Sequence, residues 1–122
     1  MPGSSTPCVL VVDDDKRLAD ALAAVLNRHG FNTKTAYSGS EAIEAALKSR
    51  PDFILMDIMM KGIDGVDAAI AICETLPHCR IVLMSGAESA LQNLEKGSRR
   101  GHHFEFFMKP ITASSLLDMV RN

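Results

Sequence analysis

The apolar residues of this chain fall in short runs that alternate with amphipathic stretches about five times, and four of the runs stop at a polar residue. Val9-Leu10-Val11-Val12 is followed by Asp13-Asp14-Asp15, and Phe53-Ile54-Leu55-Met56 by Asp57. Ile81-Val82-Leu83-Met84 ends at Ser85, and Phe104-Glu105-Phe106-Phe107-Met108 ends at Lys109-Pro110. Short apolar runs separated by segments of helical period specify an α/β fold with a parallel sheet. In such a sheet all strands end on the same edge, so these polar residues are expected to converge there. Carboxylates, a hydroxyl and an ammonium gathered at one edge suit a divalent cation and a phosphoryl group, which points to a phosphorylation site.

The 122 residues are enough for one domain with a single packed core. A hydrophobic share of 47% and a charged share of 23% are ordinary for a globular protein. The net charge of −2 gives no reason to expect direct nucleic-acid binding or an anionic membrane surface as a partner. No apolar run is long enough to cross a bilayer. Residues 1–7, Met-Pro-Gly-Ser-Ser-Thr-Pro, lack the features of a secretory signal and read as a flexible leader, leaving 8–122 as the domain. Cys8, Cys73 and Cys79 are an odd count and are expected to be reduced thiols in the cytoplasm. The spacing of Cys73, His78 and Cys79 matches no structural zinc pattern.

The first helix is expected to begin near Asp15 or Lys16, to bury Leu18, Leu22, Val25 and Leu26, and to stop at Gly30. Ser38 or Ser40 can cap a second helix with Ile43, Ala46 and Leu47 inside, ended by Pro51. A third follows Gly65 with Val66, Ala69, Ile70, Cys73 and Leu76 inward, and Pro77 closes it. A fourth around 88–96 has only Leu91 and Leu94 as clear anchors, and the fifth carries Leu116, Leu117 and Val120 before Asn122. So short a final helix is what a domain taken from a longer protein would leave.

Three runs, Val9–Val12, Phe53–Met56 and Ile81–Met84, are wholly apolar, as central strands covered on both faces are. Phe31-Asn32-Thr33-Lys34-Thr35 alternates and Phe104-Glu105-Phe106 carries a charge, as edge strands can. This places the second and fifth strands outside and gives a doubly wound five-stranded parallel sheet of order 2-1-3-4-5, a flavodoxin-like (βα)5 arrangement. Ligands of such sheets bind where the strand order reverses, between the first and third strands, where Asp13, Asp14 and Asp57 are expected.

Taken in order, Val11-Val12-Asp13-Asp14-Asp15, Leu55-Met56-Asp57-Ile58-Met59-Met60, Ile63-Asp64-Gly65, Leu83-Met84-Ser85-Gly86-Ala87 and Met108-Lys109-Pro110 resemble the receiver domain of two-component response regulators, including the chemotaxis regulators. The resemblance covers about residues 8–121. It implies that Asp57 accepts a phosphoryl group from a phosphohistidine on a sensor histidine kinase or histidine phosphotransfer protein. It further implies that Asp14, Asp57 and the backbone carbonyl of Met59 hold Mg2+ (or Mn2+), with Asp13 acting largely through water. Lys109 would balance one phosphoryl oxygen and Ser85 would donate a hydrogen bond to another. The family has a cis peptide at the position of Lys109-Pro110 and an aromatic switch residue at that of Phe106, which here lacks the tyrosine hydroxyl of many relatives.

The competing readings are weaker on chemical grounds. A phosphorylation-independent interaction module on the same fold usually lacks the acceptor, an acidic partner or the lysine, and this chain has all of them. An aspartate-nucleophile phosphatase needs a second carboxylate two residues after the nucleophile, where Met59 stands. No turnover of an external substrate is therefore expected, only self-phosphorylation and slow autodephosphorylation. A flavodoxin-type cofactor would meet the repulsion of Asp13-Asp14-Asp15.

The chain departs from the family pattern at three places. Lys61 replaces a frequent proline, and with Gly62 and Gly65 adjacent this should loosen the loop after the third strand. Met59 and Ala87 occupy positions that tune hydrolysis in the family, and neither side chain can orient a water, so a long-lived phosphorylated state is expected. Lys96-Gly97-Ser98-Arg99-Arg100-Gly101-His102-His103 reads as a long, basic, solvated loop. The downstream effector is not legible.

Overall fold

In the computed structural model, which describes residues 6–86 and 90–122, strands and helices alternate. They are β1 Cys8–Val12, α1 Lys16–Arg28, β2 Asn32–Ala36, α2 Gly39–Ser49, β3 Phe53–Asp57, α3 Gly65–Thr75, β4 Arg80–Ser85, α4 Ala90–Arg99, β5 Glu105–Met108 and α5 Ala113–Arg121. All strand pairs are parallel, in the order β2-β1-β3-β4-β5, as the burial pattern of the sequence implies.

The period of the strands divides the core in two. Leu10, Val12, Ile54, Met56 and Leu83 point toward α2 and α3, where Ala42, Ala46, Val66, Ala69 and Ile72 cover them. Val9, Val11, Leu55, Val82 and Met84 point the other way, onto Ala19, Leu22 and Leu26 of α1 and Leu116 and Met119 of α5. Each fully buried Val, Leu or Ile contributes about 1.5–3 kcal/mol relative to exposure, and this burial holds the central strands between helical layers. At the β5 edge the charge of Glu105 is not left to solvent alone. The Arg80 guanidinium grips it with two hydrogen bonds of 2.7 Å and also lies 5.1 Å from the Phe53 ring centroid.

Side-chain caps set the helix starts. Asp15 accepts from the Leu18 amide, Ser38 from that of Glu41 (3.1 Å) and Asp64 from that of Asp67 (2.9 Å), while Thr112 and Ser115 form a capping box. Of the two serines the sequence offered for the second helix, Ser38 is the cap, and Asp15 stands where the first helix was expected to begin. The structure corrects three expectations about burial and extent. Leu47 and Leu91, read as inward anchors, are 47% and 48% exposed. Ala42 takes the place of Leu47 in the core, and Met119 is buried although the sequence reading passed over it. The basic stretch 96–103 is only half a loop: α4 continues through Arg99, and residues 100–103 turn at Gly101 (φ 85°) toward β5. The expected start of α4 at Glu88 lies outside the described residues. Among the described residues, no helix is long and apolar enough to cross a membrane.

The β3–α3 connection is tightly packed around Gly65. A Cβ on Gly65 would overlap the Asp57 carbonyl oxygen and come within 2.8 Å of Ile58 Cα. The Gly65 amide donates to the Ile58 carbonyl at 2.8 Å, so the backbone cannot retreat without losing that bond. Gly65→Ala is expected to cost about 3 kcal/mol. Gly62→Ala, at φ +77° with open space around it, should cost only about 1 kcal/mol. Urea unfolding of both variants checks the contrast, and equal midpoints would contradict it.

Candidate functional site

Parallel pairing of β1 with β3 puts Val12 opposite Met56, so the residues that follow, Asp13 and Asp57, emerge side by side at the carboxyl edge. Asp14 joins them, and one carboxylate oxygen from each of the three lies within 4.8 Å of the others. Asp13 (1% exposed) and Asp57 (6%) are buried, whereas Asp14 faces solvent. The Asp13 amide donates to the Ala36 carbonyl at 3.2 Å, and its Oδ1 accepts from the Asp15 amide at 2.9 Å, which fixes the side chain.

β5 delivers Lys109. Its amide donates to the Ser85 carbonyl at 3.0 Å, and the following peptide bond to Pro110 is cis. Lys109 Nζ reaches Asp13 Oδ2 at 2.8 Å and Asp57 Oδ2 at 3.5 Å. The tighter pair is thus with Asp13, not with the residue read as acceptor. Ser85, at the end of β4, is buried one strand away from Asp57. Phe106 pairs with Leu83 across β4–β5 and is half-buried against the α2–α3 side of the core. Met59 is 43% exposed, and its backbone favours the charged form of the Asp57 carboxylate. Lys61 is exposed, and Ala87 lies outside the described residues.

The electrostatics follow from this geometry. Burial, and then the charge of Asp13, push the Asp57 carboxyl up to about 6, against the opposing pull of Lys109 and the Met59 backbone. Asp57 is therefore predominantly ionised at neutral pH, at a cost. Burial works against the Lys109 charge, but the hydrogen bond to Asp13 and the charges of Asp57 and Asp13 outweigh it and raise that group. Three carboxylates facing one ammonium leave negative charge in excess, and every donor atom is a hard oxygen. That set suits Mg2+ or Mn2+, which bind through one or two carboxylates plus waters. Among the described residues, this is the one group of three acidic, histidine or cysteine side chains that could hold a metal. The thiols are all free, and burial, then the charge of Asp52, push that of Cys79 up to about 11, which makes it a poor nucleophile.

Sequence reasoning missed contacts that join this edge to α4. Asn93 Nδ2 lies 3.7 Å from Met59 Sδ, and Lys96 and Arg100 pair with Asp64 and Asp67. Asp64 was visible as part of a family motif, but nothing in the local pattern tied it to Lys96.

A sheet of this order with acidic residues and a lysine at its switch point defines a receiver domain. Residues 9–121 match the family model for the response regulator receiver domain, and the chain belongs to that family, a component of two-component signalling. It is 34% identical over 122 residues to the transcriptional regulatory protein PrrA of Mycobacterium leprae, covering 98% of this chain and 50% of that protein. It is 33% identical over 119 residues to the DNA-binding response regulator MtrA of Mycolicibacterium smegmatis, covering 93% of this chain and 48% of that protein. The chain thus spans about half the length of the curated relatives it matches. Among solved structures, the receiver domain of NtrX from Brucella abortus superposes with a TM-score of 0.79 at 29% identity, covering 93% of this chain and 94% of that one. The chemotaxis protein CheY4 of Vibrio cholerae shares the fold, with a TM-score of 0.84 at 23% identity and coverage of 96% and 98%.

Proposed function

We propose that this domain is a phosphoaccepting switch in which an Asp57 carboxylate oxygen attacks the phosphorus of a phosphohistidine carried by a sensor histidine kinase or histidine phosphotransfer protein. The P–N bond breaks, the imidazole leaves and takes up a proton, and a mixed anhydride forms on Asp57. The observation that carries this reading is the buried Asp57 beside Asp13 and Asp14, with Lys109 2.8 Å from one and 3.5 Å from another of these carboxylates. A Mg2+ ion held by Asp14, Asp57 and the Met59 carbonyl, with Asp13 through water, would neutralise charge between the nucleophile and the incoming group. The chain's own residues do the rest. Lys109 orients the Asp57 carboxylate and is placed to balance a phosphoryl oxygen as charge accumulates. Burial raises the basicity of Asp57 and so its nucleophilicity, without neutralising it at pH 7.

A phosphoryl group adds about −1.5 to −2 charges and strong acceptor oxygens. The switch proposed is that Ser85 moves toward those oxygens and Phe106 turns inward behind it, altering the surface offered to a downstream effector in the cytoplasm. The domain itself turns over no external substrate and binds neither nucleic acid nor membrane in this reading.

The site assignment is tested by incubating the protein with acetyl phosphate and Mg2+, reducing with borohydride and mapping peptides. Conversion of the Asp57 side chain to an alcohol supports the assignment, and modification at Asp13 or Asp14 instead would overturn it. Because Met59 offers no group to orient an attacking water, the adduct should decay more slowly than in fast chemotaxis regulators. Loss of the adduct on their timescale, followed by mass, would refute that expectation.

A further inference from the structure

Asn93 and Lys96 of α4 and Arg100 just beyond it, three to four residues apart, reach the segment that follows Asp57. Asn93 meets Met59 at 3.7 Å, Lys96 Nζ lies 3.1 Å from Asp64 Oδ2 and 3.2 Å from Asp67 Oδ2, and Arg100 Nη1 lies 3.3 Å from Asp67 Oδ1. Between these polar contacts Gly97 is buried, and a Cβ there would come within 2.9 Å of Val66 Cγ1, so the α4 backbone lies close against α3. Asp64 has two tasks: Oδ1 caps the Asp67 amide at 2.9 Å, and Oδ2 receives Lys96. The loop from Met59 to Asp64 is thereby fastened to α4 at both of its ends.

We propose that Lys96, aided by Arg100, is a positioning residue that clasps α4 to the acceptor loop 58–64 through Asp64 and Asp67, so that loop and helix open and close as one unit. A change at Asp57 that displaces the loop is then felt at α4 through the clasp; only this last step rests on the reading of Asp57 as phosphoacceptor. An isolated exposed ion pair contributes little. Here two cations share two carboxylates around a close helix contact, and a network of that kind holds its geometry better than a single pair. Burial opposes the charge of Lys96 less than its bond to Asp64 favours it, which agrees with an engaged ammonium; the hydrogen bond to Asp64 is the largest influence raising it. The contacts are exposed enough for salt to screen them. Coupling between two sites is reciprocal, so loosening α4 must also loosen the loop.

Hydrogen exchange by mass spectrometry on the full chain, without metal or phosphodonor and at low salt, tests the clasp directly. Lys96→Ala should speed exchange in peptides covering 58–67 and 91–100 together, about threefold to tenfold. Alanine is the better helix former, so such a loss cannot come from helix propensity. Lys96→Arg should restore both segments. Acceleration confined to α4, no acceleration, or no recovery with arginine would overturn the proposal. A second arm adds beryllofluoride and Mg2+. Wild type and Lys96→Ala should both respond in 58–67, with the response in 91–100 reduced in the variant, and an equal response at α4 would contradict transmission through Lys96. If wild type does not respond to beryllofluoride, the phosphoacceptor reading fails, while the first arm still decides the clasp.

Discussion

Lys109→Ala should slow phosphoryl transfer to Asp57 by about a hundredfold or more, while tightening Mg2+ binding by about tenfold. The two effects have one origin. Among the described residues, Lys109 is the cation that pairs with Asp13 and Asp57, at 2.8 Å and 3.5 Å. Without it the carboxylates attract a divalent ion more strongly, because no ammonium competes for their charge. The phosphoryl oxygens, however, lose the positive group that stabilises them as the bond forms, and that loss sets the rate. Calorimetric titration with Mg2+ and the time course of labelling by acetyl phosphate read the two effects separately. A variant that binds Mg2+ more weakly and labels at the wild-type rate would contradict the role given to Lys109.

Asp57→Asn should stabilise the metal-free protein at pH 7 by as much as about 3 kcal/mol. The folded state holds the Asp57 proton up to about pH 6, whereas the reference carboxyl releases it near 3.8. Between those values the folded state binds more protons than the unfolded state, so the stability of the wild type falls as pH rises through the window and is flat above it. The amide carries no charge to desolvate and escapes this loss. The advantage of the variant should therefore be small near pH 4, grow toward pH 6 and hold at pH 7. Mg2+ binds the folded wild type and should narrow the gap by mass action. Urea titrations in chelator across this range check the trend. A variant less stable than wild type at pH 7 in chelator would show that Asp57 is not the strained carboxylate described here.

The sheet was legible because its evidence is local to each strand. Wholly apolar Val9–Val12, Phe53–Met56 and Ile81–Met84 contrast with alternating Asn32–Thr35, and that contrast alone sorts central strands from an edge. The candidate site was legible for a related reason: residues immediately after parallel strands share one edge of the sheet, whatever lies between them in sequence. What escaped was long-range or was backbone. Lys96-Gly97-Ser98 has poor helix formers at its centre, so the local pattern suggests a loop. Its helical state is favoured by Asp64 and Asp67, 32 and 29 residues earlier, and by the space that Gly97 leaves for Val66. The pull of the Met59 backbone on the charge of Asp57 has no side-chain signature at all. Leu47 and Leu91 show that helical spacing gives a stripe but leaves its rim undetermined. Lys109 was expected to balance a phosphoryl oxygen, and its contact to Asp13, shorter than that to Asp57, depends on side-chain packing that spacing does not encode.

The central claim, that Asp57 takes a phosphoryl group with Mg2+ at its side, is tested most directly by intact mass after incubation with acetyl phosphate. Wild type with Mg2+ should gain the mass of one phosphoryl group, lose that gain when Mg2+ is chelated beforehand, and show none as Asp57→Asn. No adduct on the wild type, or an equal adduct on Asp57→Asn, would contradict the account and favour an interaction module that works without phosphorylation.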